Sequence, residues 1–235
     1  MPDILNSDIL KTISAIPGTA VLIALLVAAG LLVILINWRL LIIALGAQYI
    51  LIGLMLTRVV PFELATVKAL IGIIICPVLY ITARRMQWGG TEVEEESDET
   101  AGETAAEVPR RRRWQIIAPG LPVRVIVAVL LLAMSISLAS RNPLPITSDQ
   151  TLSRDLTVAA FSVMLLGLIN AAMAENPLKI GIGLLSILAG FELFYTAIEP
   201  TLAMVGLLGL VNLILALAIA YLTTSWATQH PEARQ

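Results

Sequence analysis

Two charged side chains, Lys68 and Glu192, stand inside otherwise apolar stretches of this 235-residue chain. An ionised group at membrane depth is costly and persists where it pairs with an opposite charge, relays a proton or lines an ion path. A carboxylate in such a place can exchange a proton, and a neighbouring ammonium sets its proton affinity through charge. Lys68 and Glu192 are therefore candidates for a proton or cation relay. The competing readings are a satisfied buried pair, or a Lys68 that snorkels to the interface. Gln48 and Asn212 lie near mid-depth of two further apolar stretches. Amides can line a hydrated file but do not release protons at physiological pH, so interhelical hydrogen bonding is the alternative role for both, and for Asn170. Glu192, Lys68, Asn212 and Gln48 make up the candidate ion or proton path.

The remaining chemical inventory is thin. Cys76 is the one cysteine and lies inside an apolar stretch, while His230 is the one histidine and lies in the polar C-terminal tail. No disulfide, zinc, iron-sulfur or haem site can be assembled from that inventory alone. There is no Gly-rich phosphate loop and no Ser/His/Asp or Cys/His set. The expectation is a chain with no catalytic centre, cofactor site or metal site of its own.

The elements that carry these residues follow from composition. A chain that is 58% hydrophobic and 14% charged, with a mean hydropathy of +0.89, is not an ordinary soluble enzyme. A net charge of −2 also argues against nucleic-acid binding, which rests on clustered Lys and Arg. Crossing a hydrocarbon layer of roughly 30 Å takes about 20 mostly apolar residues. Seven runs qualify: Thr19 to Ile36, Leu40 to Leu56, Leu64 to Thr82, Ile116 to Leu138, Leu156 to Ala174, Leu178 to Ile198 and Thr201 to Leu222. Most connections are short turns marked by Pro or Asn, such as Asn37-Trp38-Arg39, Glu175-Asn176-Pro177 and Glu199-Pro200, so consecutive helices are antiparallel neighbours. The expected fold is an all-α polytopic transmembrane bundle. The first run reads as a retained helix, because the residues before it hold Asp3, Asp8 and only Lys11, a poor basic region for a signal peptide.

Lys11, Arg58, Arg141 and Arg154 fall on the side of the N-terminus, and Arg39, Arg84, Arg85, Arg110 to Arg113, Arg124, Lys179 and Arg234 on the other. The positive-inside rule places the N-terminus outside the cytoplasm and the C-terminus within it. Lys68, one turn into the third run, and Glu192, about 21 Å along the sixth by helical rise, then both lie in the outer third of the bilayer. An ion pair between them is allowed if their helices are neighbours.

Four segments result. Residues 1–85 form an N-terminal three-helix half, and 86–113 a polar linker. Residues 114–155 hold the fourth helix and an outer loop, and 156–235 a C-terminal three-helix half. The linker carries an acidic block from Glu92 to Glu107 and then Arg110-Arg111-Arg112-Arg113-Trp114, a composition that predicts a disordered cytoplasmic tether. Its alternatives are a docking strap for a peripheral partner and an anionic-lipid contact. The two halves share a rhythm of helix, Asn-containing turn, helix, acidic or Pro-marked turn, helix. Leu64-Ala65-Thr66-Val67 matches Leu202-Ala203-Met204-Val205, each preceded by a glutamate, Glu63 or Glu199. With the fourth helix between them, the halves would be parallel repeats.

Pro77 inside the third run should release the carbonyl of Ile73 and kink the helix. Lys68, Gly72 and Cys76, spaced by four, share one helix face. Gly72, Gly206 and Gly209 are expected to allow close helix packing.

Leu166-Gly167-Leu168, followed by Glu175-Asn176-Pro177-Leu178-Lys179-Ile180-Gly181-Ile182-Gly183-Leu184-Leu185-Ser186, resembles a signature common to three related groups. These are the K subunit of NADH:quinone oxidoreductase (respiratory complex I), the C subunit of multisubunit Na+/H+ antiporters, and component E of hydrogenase-4. Component E looks closest: it has an extra N-terminal helical half, whose third helix closes with a stretch resembling Ile75-Cys76-Pro77-Val78-Leu79-Tyr80-Ile81-Thr82-Ala83-Arg84. The resemblance covers most of the chain except the linker, through motifs that are mostly apolar. It implies a multi-pass subunit of the cell inner (plasma) membrane, packed against larger antiporter-like subunits of the same complex and helping to move protons or cations. The pattern departs in three places. The middle helix of the family carries a glutamate near the positions of Leu185 or Leu188, whereas here the candidate is Glu192. The third helix of the family often has an acidic residue where this chain has Asn212. Component E has a lysine near the position of Gly72, and here the lysine is Lys68. A stand-alone secondary transporter with a site between its repeats, and a non-conducting scaffold subunit, are the alternatives.

Overall fold

The computed structural model describes residues 17–35, 37–85, 121–141, 150–174 and 176–229. They form seven helices and no strand pairing into a sheet: α1 (Gly18–Ile34), α2 (Trp38–Leu56), α3 (Phe62–Arg85), α4 (Leu121–Arg141), α5 (Gln150–Ala172), α6 (Pro177–Ile198) and α7 (Leu202–Gln229). Helices satisfy every interior backbone group without water, which suits runs this rich in Leu, Ile, Ala and Val to a hydrocarbon layer. Six of them, α2 to α7, are long and apolar enough to cross a membrane. The seventeen residues of the apolar helix α1 rise about 25 Å, near the lower limit for a span. The chain is thus an all-α, multi-pass membrane bundle.

Local chemistry sets the helix ends. The Asn37 side chain accepts from Arg39 N at 3.1 Å and caps α2. Pro177 occupies the first turn of α6, where its missing N–H costs nothing. Pro200 separates α6 from α7, and Pro61 precedes α3 and accepts from Leu64 N at 3.0 Å. All seven expected runs contain a helix, but four of the helices extend three residues or more past their apolar limits. α3 continues to Arg85, α4 to Arg141 and α7 to Gln229, while α5 begins at Gln150. Hydropathy marks only the part of a helix within the apolar layer. The flanking turns are held by their own bonds, such as Thr157 Oγ1 to Ser153 O at 2.8 Å and Thr224 Oγ1 to Tyr221 O at 2.7 Å. α3 runs through Pro77 without interruption. The linker 86–113, the start of the fourth run at Ile116, the loop between the fourth and fifth helices and His230 lie outside the described residues.

The bundle consists of two rows. α1, α2 and α3 pack in sequence, as do α5, α6 and α7; across the rows α1 faces α5, α2 faces α6 and α3 faces α7, with α4 set against α5 and α1. Close approaches give the directions. Gly18 meets Arg58, Gly46 meets Cys76, Gly183 meets Ala171 and Gly181 meets Ile219, so sequence neighbours are antiparallel. Gly209, early in α7, meets Ile71, early in α3, so these two run parallel, and parallel orientation of α2 with α6 and α1 with α5 follows. The triplets are therefore laid side by side in one order; a two-fold axis between them would set α1 against α7 and α3 against α5. The levels match too. Gln48 bonds Ser186 across the rows, 138 residues on, and Ile71 and Gly209 are equally far apart, as are the matched Leu64-Ala65-Thr66-Val67 and Leu202-Ala203-Met204-Val205. Sequence match and packing share one offset.

The most extensive helix contact is that of α5 with α6. It is a small-residue seam: a Cβ on Gly183 would lie 2.6 Å from Ala171 N, one on Gly190 2.7 Å from Met164 Cγ, and one on Gly167 2.8 Å from Ile187 N. Such closeness is the usual source of helix association in lipid, where burying apolar area brings no advantage over lipid contact. Gly72 and Gly209 behave as expected, pressed against Tyr49 and Ile71. Gly206 does not. It is exposed with nothing near it, because α7 turns that face outward and only its opposite face meets α3 and α6.

A buried polar cluster as the candidate functional site

Lys68 and Glu192 face each other. Lys68 is the seventh residue of α3 and Glu192 the seventh from the end of α6. Because α3 and α6 run in opposite directions, both sit about 9 Å from the helix ends at the same end of the bundle. They form a salt bridge and are 3% and 2% exposed. Their helices occupy opposite corners of the α2, α3, α6, α7 square, so the pair bridges the two triplets diagonally.

The other diagonal is occupied as well. Tyr49 of α2 donates its hydroxyl proton to Asn212 Oδ1 of α7 at 3.2 Å. Asn212 Nδ2 donates to both carboxylate oxygens of Glu192, at 3.1 and 3.0 Å. The Lys68 ammonium also lies 5.1 Å from the centroid of the Tyr49 ring, a cation–π contact that strengthens where water is excluded. Beyond the carboxylate and the ring face, no hydrogen-bond acceptor among the described residues reaches Lys68 Nζ. Four helices thus converge through Tyr49, Lys68, Glu192 and Asn212 on one fully buried ionic network.

Gln48 belongs to an adjoining contact. Its Nε2 donates to Ser186 Oγ at 2.9 Å, and both side chains are buried. Ser186 Oγ has two acceptors within reach, Gln48 Oε1 at 3.3 Å and Val163 O at 3.4 Å. Interhelical hydrogen bonding is thus the arrangement found for Gln48 and Asn212. Asn170 is buried, but its Nδ2 has no partner among the described residues. Cys76 shares the α2-facing side of α3 with Gly72, its Sγ 3.8 Å from Ile42 O.

Hydropathy and charge reasoning did not single out Tyr49 or Ser186. Tyr49 had a legible signal, since tyrosines in membrane helices concentrate at the interfaces and one seven residues inside α2, beside Gln48, needs a partner for its hydroxyl. Ser186 had none, because a serine in a membrane helix can return its proton to its own backbone.

What this network can do chemically is narrow. It holds one carboxylate, one ammonium, one phenol and one carboxamide in a water-poor setting. That set can store or pass a proton or shift between paired and unpaired forms. No three His, Cys, Asp or Glu side chains come together among the described residues. A comparison of the chain with protein families, with characterised proteins and with solved structures finds no match.

Proposed function

We propose that this chain is an integral membrane subunit of a complex I-like, hydrogenase-4-like or antiporter-like assembly. It contributes to proton or cation translocation coupled to redox chemistry carried by other subunits. The observation that carries the reading is the buried Lys68–Glu192 pair between the two triplets, held by Asn212. A lipid-embedded bundle gains nothing from an ion pair that small residues could not supply more cheaply, whereas an ion path needs a group that changes charge.

The partners are larger antiporter-like membrane subunits, and the lipid bilayer. The chain itself supplies no catalytic centre and binds no cofactor. Its membrane is the cell inner (plasma) membrane, with the N-terminus outside and the C-terminus and linker 86–113 cytoplasmic. Charge supports that orientation: the end where α2, α4 and α6 start carries Arg39, Arg84, Arg85, Arg124 and Lys179, and the positive-inside rule assigns such an end to the cytoplasm.

The test is substitution of Lys68 and Glu192 singly in the assembled complex, followed by measurement of coupled ion transport. The expected result is loss of coupling with assembly intact; undiminished transport would sink the relay. Copurification of a tagged chain tests the subunit role, and recovery as a monomer or homo-oligomer without larger membrane subunits would overturn it. A stand-alone secondary transporter is the second reading. It draws support from polar side chains meeting at one level between two parallel repeats, and it would survive that copurification result.

A further inference from the structure

Among the described residues, the two groups bonded to Glu192 are both donors. Asn212 presents Nδ2 to both carboxylate oxygens, while its Oδ1 accepts from the Tyr49 hydroxyl, the orientation that suits a carboxylate acceptor. Lys68 presents its ammonium. A bound sodium or potassium ion needs the reverse, several oxygens converging on one point, which membrane carriers obtain from carboxylates and from carbonyls freed by unwound helices. Here α2, α3, α6 and α7 run unbroken through the level of the cluster, so their carbonyls, that of Ile73 apart, stay in helical bonds. The one interior proline of these helices, Pro77, frees the carbonyl of Ile73, more than one turn beyond Lys68.

Resting on the ion-path reading above, we infer that this site takes a proton and excludes sodium and potassium, because the Lys68 ammonium fills the cation position beside Glu192. A proton adds to a carboxylate oxygen without needing further ligands. A metal ion must displace an ammonium that the chain itself supplies at a fixed, very high effective concentration. The charged and titratable groups facing Glu192 are Lys68 from α3 and Tyr49, through Asn212, from α2. From α5, the residues packed against Gly190 and Phe194, on either side of Glu192 in the sequence of α6, are Ala160, Met164 and Phe161, all uncharged. Arg154 and Asp155 lie further toward the start of that helix, and Glu199 follows α6 at an exposed position.

The test uses the purified full-length chain, or the complex it copurifies with, under two perturbations. Infrared difference spectra are recorded on changing pH, and on exchanging choline for sodium at constant pH and ionic strength. Thermal unfolding is followed in the same salts. In the natural protein a carboxyl band that Glu192→Gln removes should respond to pH, and neither that band nor the unfolding temperature should respond to sodium. Lys68→Ala should gain a sodium response. Its unfolding temperature should rise by about 3–5 °C per tenfold excess of sodium over its dissociation constant, and Glu192→Gln in the same chain should abolish the rise. A sodium-dependent Glu192 band in the natural protein would overturn the exclusion and leave the ion-path reading standing. A Lys68→Ala protein that folds and gains no sodium response would overturn the role given to the ammonium. A Glu192 band that answers neither pH nor sodium would overturn the proton assignment and the ion path together. The natural-protein measurements decide the exclusion even if Lys68→Ala does not fold.

Discussion

Along one side of α6, Gly183 and Gly190 bring its backbone against α5 until no room for a methyl group remains. Along another, Glu192 reaches across to α3 and α7 and meets an ammonium and a carboxamide. Both contacts are fully buried and both tie α6 into the bundle, but they do so in opposite ways. The glycine seam consists of van der Waals contact between close backbones, and any added atom harms it. The ionic cluster places two charges where charge is expensive, so a pair of well-fitted apolar side chains would serve stability as well or better. Since the seam already fixes α6, structural need does not account for the charges.

The comparison is broken most forcefully at the cluster itself. Glu192→Ala leaves Lys68 buried without its partner and should cost about 3–5 kcal/mol of stability, read as thermal unfolding in detergent. Replacing both charges, Lys68→Leu with Glu192→Leu, should restore stability to the natural level or above while ion coupling stays lost. A double variant as unstable as Glu192→Ala would mean that the pair is structural after all.

At the seam the expected effect is somewhat smaller and different in kind. Gly183→Ala should destabilise by roughly 1–3 kcal/mol through overpacking against Ala171, and no second apolar substitution on α6 should rescue it. Gln48→Leu removes one interhelical hydrogen bond, which in membrane proteins averages about 0.6 kcal/mol, leaving Ser186 the Val163 carbonyl as acceptor. Gly206→Leu, on the outward face of α7, should leave the unfolding temperature unchanged. A clear loss there would point to a protein contact on that face in the assembled state.

How much of this was legible in the sequence varies by residue. The spans were, because about twenty apolar residues in a row have few other uses. The start of α5 was not, since Gln150 to Asp155 are polar except for Leu152 and a helix leaving the apolar layer carries no hydropathy mark. Lys68 and Glu192 were legible as exceptions, and their common depth followed from helix direction and rise. That they touch was conditional on α3 and α6 being neighbours. Tyr49 was hidden because it counts among the hydrophobic residues until its hydroxyl needs a partner. The glycines were equivocal: Gly72, Gly206 and Gly209 look alike in a run of Leu and Ile, and only the packing turns two of them inward and one outward.

By itself, then, the chain's composition and periodicity determined an all-α membrane bundle, its seven runs, and Lys68 and Glu192 as the candidate charges within them. These are consequences of transfer free energy, which acts residue by residue and needs no knowledge of neighbours. The tertiary structure decided which helix stands beside which: two triplets laid in the same order, with diagonal corners bridged by Lys68–Glu192 and Tyr49–Asn212. That choice rests on close packing and on the pairing of polar groups, both of which depend on side chains distant in sequence fitting each other within a fraction of an ångström.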